Sequence, residues 1–244
     1  MSYLKCFLLS KRTLTLLTAK RPTSDLNIRL YPRNPMYKKS LESGLARLSI
    51  ELSDDKIDKL LAYHALLFKW NKAYNLTAVR DPELMISRHL LDSLSILPHV
   101  DGQSILDVGT GPGLPGIPLS ICHPDKTLTL LDSNGKKTRF LVQAKMELKL
   151  DNMTPVQARI ESFEGGLFDS ITSRAFATLK DMVDGSIHLL KPGGHFYAMK
   201  GLYPEGEIEQ LDNRVRVLDC FALNVPNEDG ERHLVKIKKL DAAS

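Results

Sequence analysis

Residues Asp107–Ser120 read DVGTGPGLPGIPLS, with four glycines and three prolines in fourteen residues, directly after the apolar pair Ile105–Leu106. Glycine at this density marks backbone that turns with φ > 0 or approaches something closely. The segment before it, SILDV (104–108), reads as a strand, and a helix is predicted over Pro115–Ile121. The same alternation continues downstream. TLTLLD (127–132) is a strand, followed by a helix over Lys136–Leu148; MTPVQ (153–157) is a third strand, and FDSITSRA (168–175) holds a fourth. A helix over Leu179–Leu190, the strand GHFYAM (194–199), a short helix near Glu205–Leu211 and strands at Val215–Leu223 and Arg232–Lys238 complete the pattern. Strand–helix alternation predicts an α/β fold: a mostly parallel seven-stranded sheet with helices on both faces. Ligands of such sheets bind outside the carboxyl ends of the strands, where the glycines lie.

Gly109, Gly111 and Gly113 alternate and Gly116 follows; Asp132 ends the second strand about 20 residues later, where a dinucleotide-binding loop places the acid that holds ribose hydroxyls. NAD and S-adenosyl-L-methionine both carry an adenosine, and these features alone do not separate them. Two details favour S-adenosylmethionine. Asp107, two residues before the first glycine, suits a cationic ligand better than a pyrophosphate. Pro112 and Pro115 remove amide donors that a pyrophosphate loop needs.

Upstream, residues 50–98 read as helical. Ser53 caps a helix with Asp54 and Asp55 in its first turn, and Ile57, Leu60, Leu61, His64, Leu67, Phe68 and Asn71 share a face. Asp81-Pro82 opens a second helix, which Pro98 stops; its buried register holds Met85, Ile86, His89, Leu90, Ser93, Leu94 and Leu97. Arg88, His89 and Asp92 in this helix read as a surface ion pair beside a partly buried histidine, not a metal site, because no third ligand is suitably spaced. Trp70 and Tyr74 read as core residues. The chain divides into a basic leader (1–35), an N-terminal helical extension (36–100) and a cofactor-binding core (101–240).

The 244 residues carry a formal charge of +4, unevenly placed. The first 35 hold seven basic residues against one acid, +6; the remainder holds 26 basic and 28 acidic groups, −2. The body is not basic overall, so contact with nucleic acid requires a local patch. The leader reads as a signal peptide, as an organelle transit peptide, or as an extension ahead of a functional start at Met36. Three scattered cysteines, with no CxxC, predict neither a disulfide framework nor a zinc site and fit the reducing cytoplasm. No apolar run approaches ~18 residues, so no membrane helix is expected.

Together, KWNKAYNLTAVRDP (69–82), RHLLDSL (88–94), DVGTGPGLPGIPL (107–119), LLDSNGKKTRFL (130–141), SRAFA (173–177), KPGG (191–194) with AMKG (198–201), and GERHLVKIKK (230–239) resemble the 16S rRNA guanine-N7 methyltransferases, the small-subunit methyltransferase G or glucose-inhibited division protein B family. The resemblance covers about residues 36–238. It implies a Rossmann-like class I methyltransferase fold, S-adenosyl-L-methionine as cofactor, the small ribosomal subunit as partner, and methylation of N7 of guanine 527 in 16S rRNA. It also implies cofactor contacts from Gly109 and Leu114, from Ile160 and Glu161 on the adenine side, and from Arg174; Asp132 and Gly111 are added from the loop logic above. Without the resemblance, Glu161 and Arg174 would read as a structural ion pair.

RNA must be held by Lys and Arg side chains. Candidates are Lys136, Lys137 and Arg139 at the start of the helix after the second strand, where lysines oppose the helix dipole, together with Lys200, Arg232 and Lys236. Three further readings stay open: a methyltransferase acting on a small molecule or protein, a nicotinamide-dependent oxidoreductase, and a non-catalytic S-adenosylmethionine-binding module.

Overall fold

The structure, a computed structural model, describes residues 34–240 with the exception of Ala175. Residues 1–33 of the basic leader therefore lie outside the described residues. The strands are β1 (Ser104–Val108), β2 (Thr127–Asp132), β3 (Met153–Gln157), β4 (Phe168–Ser173), β5 (Leu190–Lys200), β6 (Val215–Ala222) and β7 (His233–Lys239). They form one sheet of order β3-β2-β1-β4-β5-β7-β6, with β1 to β5 parallel and β7 antiparallel to both neighbours. The order reverses at β1, so the crevice that such sheets use for ligands opens between the carboxyl ends of β1 and β4. There Ser173 Oγ donates to the carbonyl of Val108 at 2.8 Å and ties the two strand ends together.

β5 is longer than expected. Phe168 pairs with Leu190 and Ser170 with His195, so the Lys191–Gly194 turn bulges out of a continuous strand, with Gly193 at φ 69°.

Both faces of the sheet are covered because the strands are apolar on both sides. Ile105, Leu128 and Leu130 pack into one layer, against α2 (Asp54–Tyr74), α5 (Gly116–Cys122) and α6 (Gly135–Leu148); Leu106, Val108 and Leu131 face the other layer, with α7 (Leu179–Ser186). Helix α1 (Pro35–Arg47), which the sequence pattern does not separate, starts at Asn34, whose side chain accepts from the Met36 amide. Helices α1 and α2 share the apolar core of the sheet: Leu41, Leu60, Tyr63 and Leu66 are fully buried in it.

The helix predicted from Asp81-Pro82 is irregular. α3 (Pro82–Met85), capped by Asp81 onto the Glu83 amide, widens into a π segment over Ile86–Leu91 before α4 (Asp92–Leu94). The wider turn alters the i, i+4 geometry, and the expected Arg88–Asp92 pair gives way to partners elsewhere: Arg88 pairs with Glu228, and Asp92 is buried and pairs with Arg174 and Arg232. A small α8 (Glu205–Ile208) precedes β6. Among the described residues, no helix is long and apolar enough to cross a membrane.

Candidate cofactor and substrate site

The glycine loop leaves β1 in a left-handed course, with φ of 64° at Gly109, 61° at Gly111 and 96° at Gly113. Its amides are engaged within the protein. Thr110 N donates to Leu131 O, Gly113 N and Leu114 N donate to Thr110 O, and Ile117 N donates to Gly113 O. Gly111 N donates to Asp132 Oδ2 at 2.9 Å and Gly116 N to Asp107 Oδ2 at 2.8 Å. Pro112, Pro115 and Pro118 have no amide hydrogen. From Thr110 to Pro118, then, the loop has no free N–H to direct at a phosphate. Gly116 is required for packing, since a Cβ there would lie 2.7 Å from both Asp107 Oδ2 and Leu130 Cγ.

Asp107 behaves differently from the sequence expectation. Its carboxyl group is fully buried and turned toward the loop, where Oδ2 accepts from Thr110 Oγ1 at 2.6 Å and from Gly116 N. Burial pushes its pKa up to about 7, although both hydrogen bonds act in the opposite direction. The residue shapes the loop from behind and is not part of the wall of the cavity at the carboxyl ends of β1, β2 and β3. Tyr63 holds the loop from the other side, its hydroxyl donating to Pro112 O at 2.8 Å.

A cavity of about 400 Å³ opens at the carboxyl ends of β1, β2 and β3. Gly109, Asp132, Lys137, Ile160, Glu161 and Phe176 contribute to its wall. Asp132 is nearly buried, accepts from Gly111 N and Asn134 N, and has Lys137 Nζ 3.6 Å from Oδ2. An apolar slot of Leu131, Ile160 and Phe176, with carboxylates at its edge, fits a flat base joined to a hydroxylated sugar. Gly111 and Leu114 stand behind this wall: Gly111 holds Asp132, and Leu114 is buried in the core.

Arg174 is directed elsewhere. Its guanidinium donates to Asp92 Oδ2 at 2.9 Å and to the carbonyl of Arg88 at 3.2 Å, which lies in the π segment. It lines a second cavity, of about 180 Å³, together with Asp92, Lys200, Arg232 and His233. Lys200 is mostly buried there, 2.8 Å from Glu207. Arg232 Nε lies 3.3 Å from Asp92 Oδ1. The alternative Glu161–Arg174 ion pair is replaced by Asp92–Arg174. Asp92 and Tyr63 are the participants that sequence reading does not assign to the site. Asp92 stands in RHLLDSL as an apparent surface residue, and Tyr63 lies outside the apolar register singled out for its helix.

The remaining cations are divided. Lys136 and Arg139 are exposed at the start of α6, whose N-cap Asn134 accepts from Lys136 N. Lys137 enters the first cavity. Lys236 pairs with Asp101, ahead of β1, away from both cavities. Trp70 packs edge-on against Phe140, and Tyr74, expected in the core, is partly exposed. Among the described residues, no group of three or more His, Cys, Asp or Glu side chains is placed to hold a metal ion.

Comparison with known proteins places this geometry in a family. A family model described as rRNA small subunit methyltransferase G matches residues 56–235. The chain is 53% identical over 197 residues to ribosomal RNA small subunit methyltransferase G of Marinomonas sp. (strain MWYL1), covering 80% of this chain and 95% of that protein. It is also 53% identical over 203 residues to the protein of the same name from Neisseria meningitidis serogroup A, covering 83% and 98%. Among solved structures, a SAM-dependent methyltransferase from Aquifex aeolicus matches with a TM-score of 0.55 at 17% identity, over 68% of this chain and 97% of that one, and so shares the fold. P. horikoshii TYW2 in complex with MeSAdo matches with a TM-score of 0.50 at 13% identity, over 62% of each chain. The chain belongs to the rRNA small subunit methyltransferase G family.

Proposed function

We propose that this chain methylates N7 of guanine 527 in 16S rRNA of the small ribosomal subunit, in the cytoplasm, using S-adenosyl-L-methionine. The observation that carries the choice of cofactor is that the glycine loop has no free amide from Thr110 to Pro118: this stretch offers no donors to a pyrophosphate, and a cavity sized for a nucleoside lies beside it. When bound, S-adenosylmethionine supplies a methyl group activated by a sulfonium.

In this reading Asp132 holds the ribose hydroxyls. Leu131, Ile160 and Phe176 enclose the adenine, with Glu161 at its edge, and Gly109 allows close approach of the β1 end. Gly111 and Leu114 act indirectly, by fixing Asp132 and the loop. Arg174, Lys200 and Arg232 form the floor for the acceptor nucleotide, and the exposed Lys136 and Arg139 grip phosphates of the flanking strand.

Guanine N7 carries an unprotonated lone pair, so no residue has to remove a proton. That lone pair forms the new C–N bond while the C–S electron pair returns to sulfur, and the positive charge passes to the purine. The protein contributes alignment and exclusion of water, effects worth on the order of 7–11 kcal/mol for well-oriented reactants.

Calorimetry with S-adenosylmethionine, S-adenosylhomocysteine and NAD tests the cofactor. The first two should bind and NAD should not; NAD binding alone would favour the oxidoreductase. Methyl label appearing in a protein or metabolite instead of 16S rRNA would favour the other acceptor classes.

A further inference from the structure

Resting on that reading, we infer that the second cavity receives the extruded guanine and that Asp92 is the carboxylate that reads its Watson–Crick edge. The two cavities share one loop. Phe176 lines the first and Arg174 the second, and two residues of chain separate their Cα atoms by at most about 7 Å. Ser173, next to Arg174 in sequence, also donates to the carbonyl of Val108, a residue of the first cavity's wall. A closed space of about 150 Å³ takes a benzene ring, so about 180 Å³ is of the size that admits a single base.

Asp92 has its side chain only 6% exposed, and each oxygen is fixed by one arginine, Arg174 at 2.9 Å and Arg232 at 3.3 Å. A carboxylate offers about four lone-pair positions, so acceptor capacity remains on both oxygens. Guanine presents N1–H and the N2 amino group, two adjacent donors that match a carboxylate. Adenine places the lone pair of N1 there and is repelled. Held by this edge, guanine leaves the lone pair of N7 free on its opposite side. The arginines keep the carboxylate oriented before the base arrives, and its negative charge stabilises the purine as N7 becomes cationic.

The test compares small-subunit RNA carrying guanosine at the target with RNA carrying inosine there, which lacks the N2 amino group. Wild-type enzyme is expected to lose about 10–100-fold in kcat/KM on inosine, the effect of removing one hydrogen bond to a buried charge. Asp92→Asn, which keeps the shape, is expected to be slow on guanosine and to discriminate less than about threefold, with S-adenosylmethionine affinity retained. Equal wild-type rates on the two RNAs would overturn the assignment without any variant. So would full discrimination by Asp92→Asn, or by Asp92→Ala should the first variant not fold. Failure of wild-type enzyme to methylate the guanosine RNA at all would instead remove the functional reading itself.

Discussion

The amide of Gly111 donates to Asp132 Oδ2 across 2.9 Å, which fastens the tip of the glycine loop to the end of β2. The second oxygen of Asp132 accepts from Asn134 N at 2.8 Å, so one carboxylate orders both the loop and the start of α6. Two chain segments that border the same cavity are thereby held by a single side chain.

Asp132→Ala leaves those two amides without their acceptor in a nearly buried position. The expected loss of stability is about 2–4 kcal/mol, from one to two kcal/mol for each stranded donor. Urea unfolding measures it, and calorimetry should show S-adenosylmethionine affinity reduced more than about tenfold. Unchanged affinity would mean that the carboxylate neither orders the loop nor meets the ribose.

Tyr63 reaches from α2 to Pro112 O at 2.8 Å from a fully buried position. Tyr63→Phe removes the donor and keeps the ring packing against Phe140. Stability should fall by about 1–2 kcal/mol, and cofactor affinity should fall several-fold because the loop is no longer braced from outside. A variant indistinguishable from wild type in both measurements would detach the helical region from the site.

Asp107 predicts a pH dependence. Its folded pKa is raised from 3.8 to about 7 by burial. Between these values the unfolded chain has released a proton that the folded chain retains. The folded state binds more protons, so stability declines as pH rises, by up to about 1.4 kcal/mol per pH unit. The contribution is fully present below about pH 4 and is gone above about pH 7. Asp107→Asn abolishes this titration. Wild-type stability relative to the variant should therefore decline from about pH 4 to about pH 7 and level off above, measured as urea midpoints across that range. A difference independent of pH would contradict the inward-facing carboxyl.

The exposed pair at the head of α6 separates RNA contact from cofactor contact. Lys136→Glu with Arg139→Glu should leave S-adenosylmethionine affinity unchanged and weaken RNA binding. The slope of log K against log salt should shrink by about 0.7 for each phosphate that is no longer neutralised. Lys137→Glu, whose ammonium lies 3.6 Å from Asp132, should also weaken cofactor binding. A fall in cofactor affinity in the Lys136/Arg139 variant would place those residues in the wrong role.

Much of the fold is legible in the sequence because the first two core strands are short apolar runs, ended by Gly109 after β1 and by Asp132 in β2. SILDV, TLTLLD and MTPVQ correspond residue for residue to β1, β2 and β3. Local rules lose information where long-range contacts decide. The π segment at Ile86–Leu91 follows no local signal and redirects Asp92 from a helix surface to Arg174 and Arg232, which lie 82 and 140 residues away in sequence. Lys191–Gly194 reads as a turn, yet pairing with β4 absorbs it as a bulge. The glycines and Asp132 point to a nucleoside site from sequence. That Asp107 faces inward, and that Arg174 lines the second cavity, follows only from tertiary packing.

Methyl transfer to N7 of a single guanine is decided by one assay. S-adenosylmethionine labelled in its methyl group is incubated with the enzyme and small ribosomal subunits that lack the modification, and the labelled nucleoside is identified by nuclease digestion and mass analysis. The expected product is 7-methylguanosine at a single position of 16S rRNA. Label at another atom of the base, in protein, or nowhere in the RNA would contradict it.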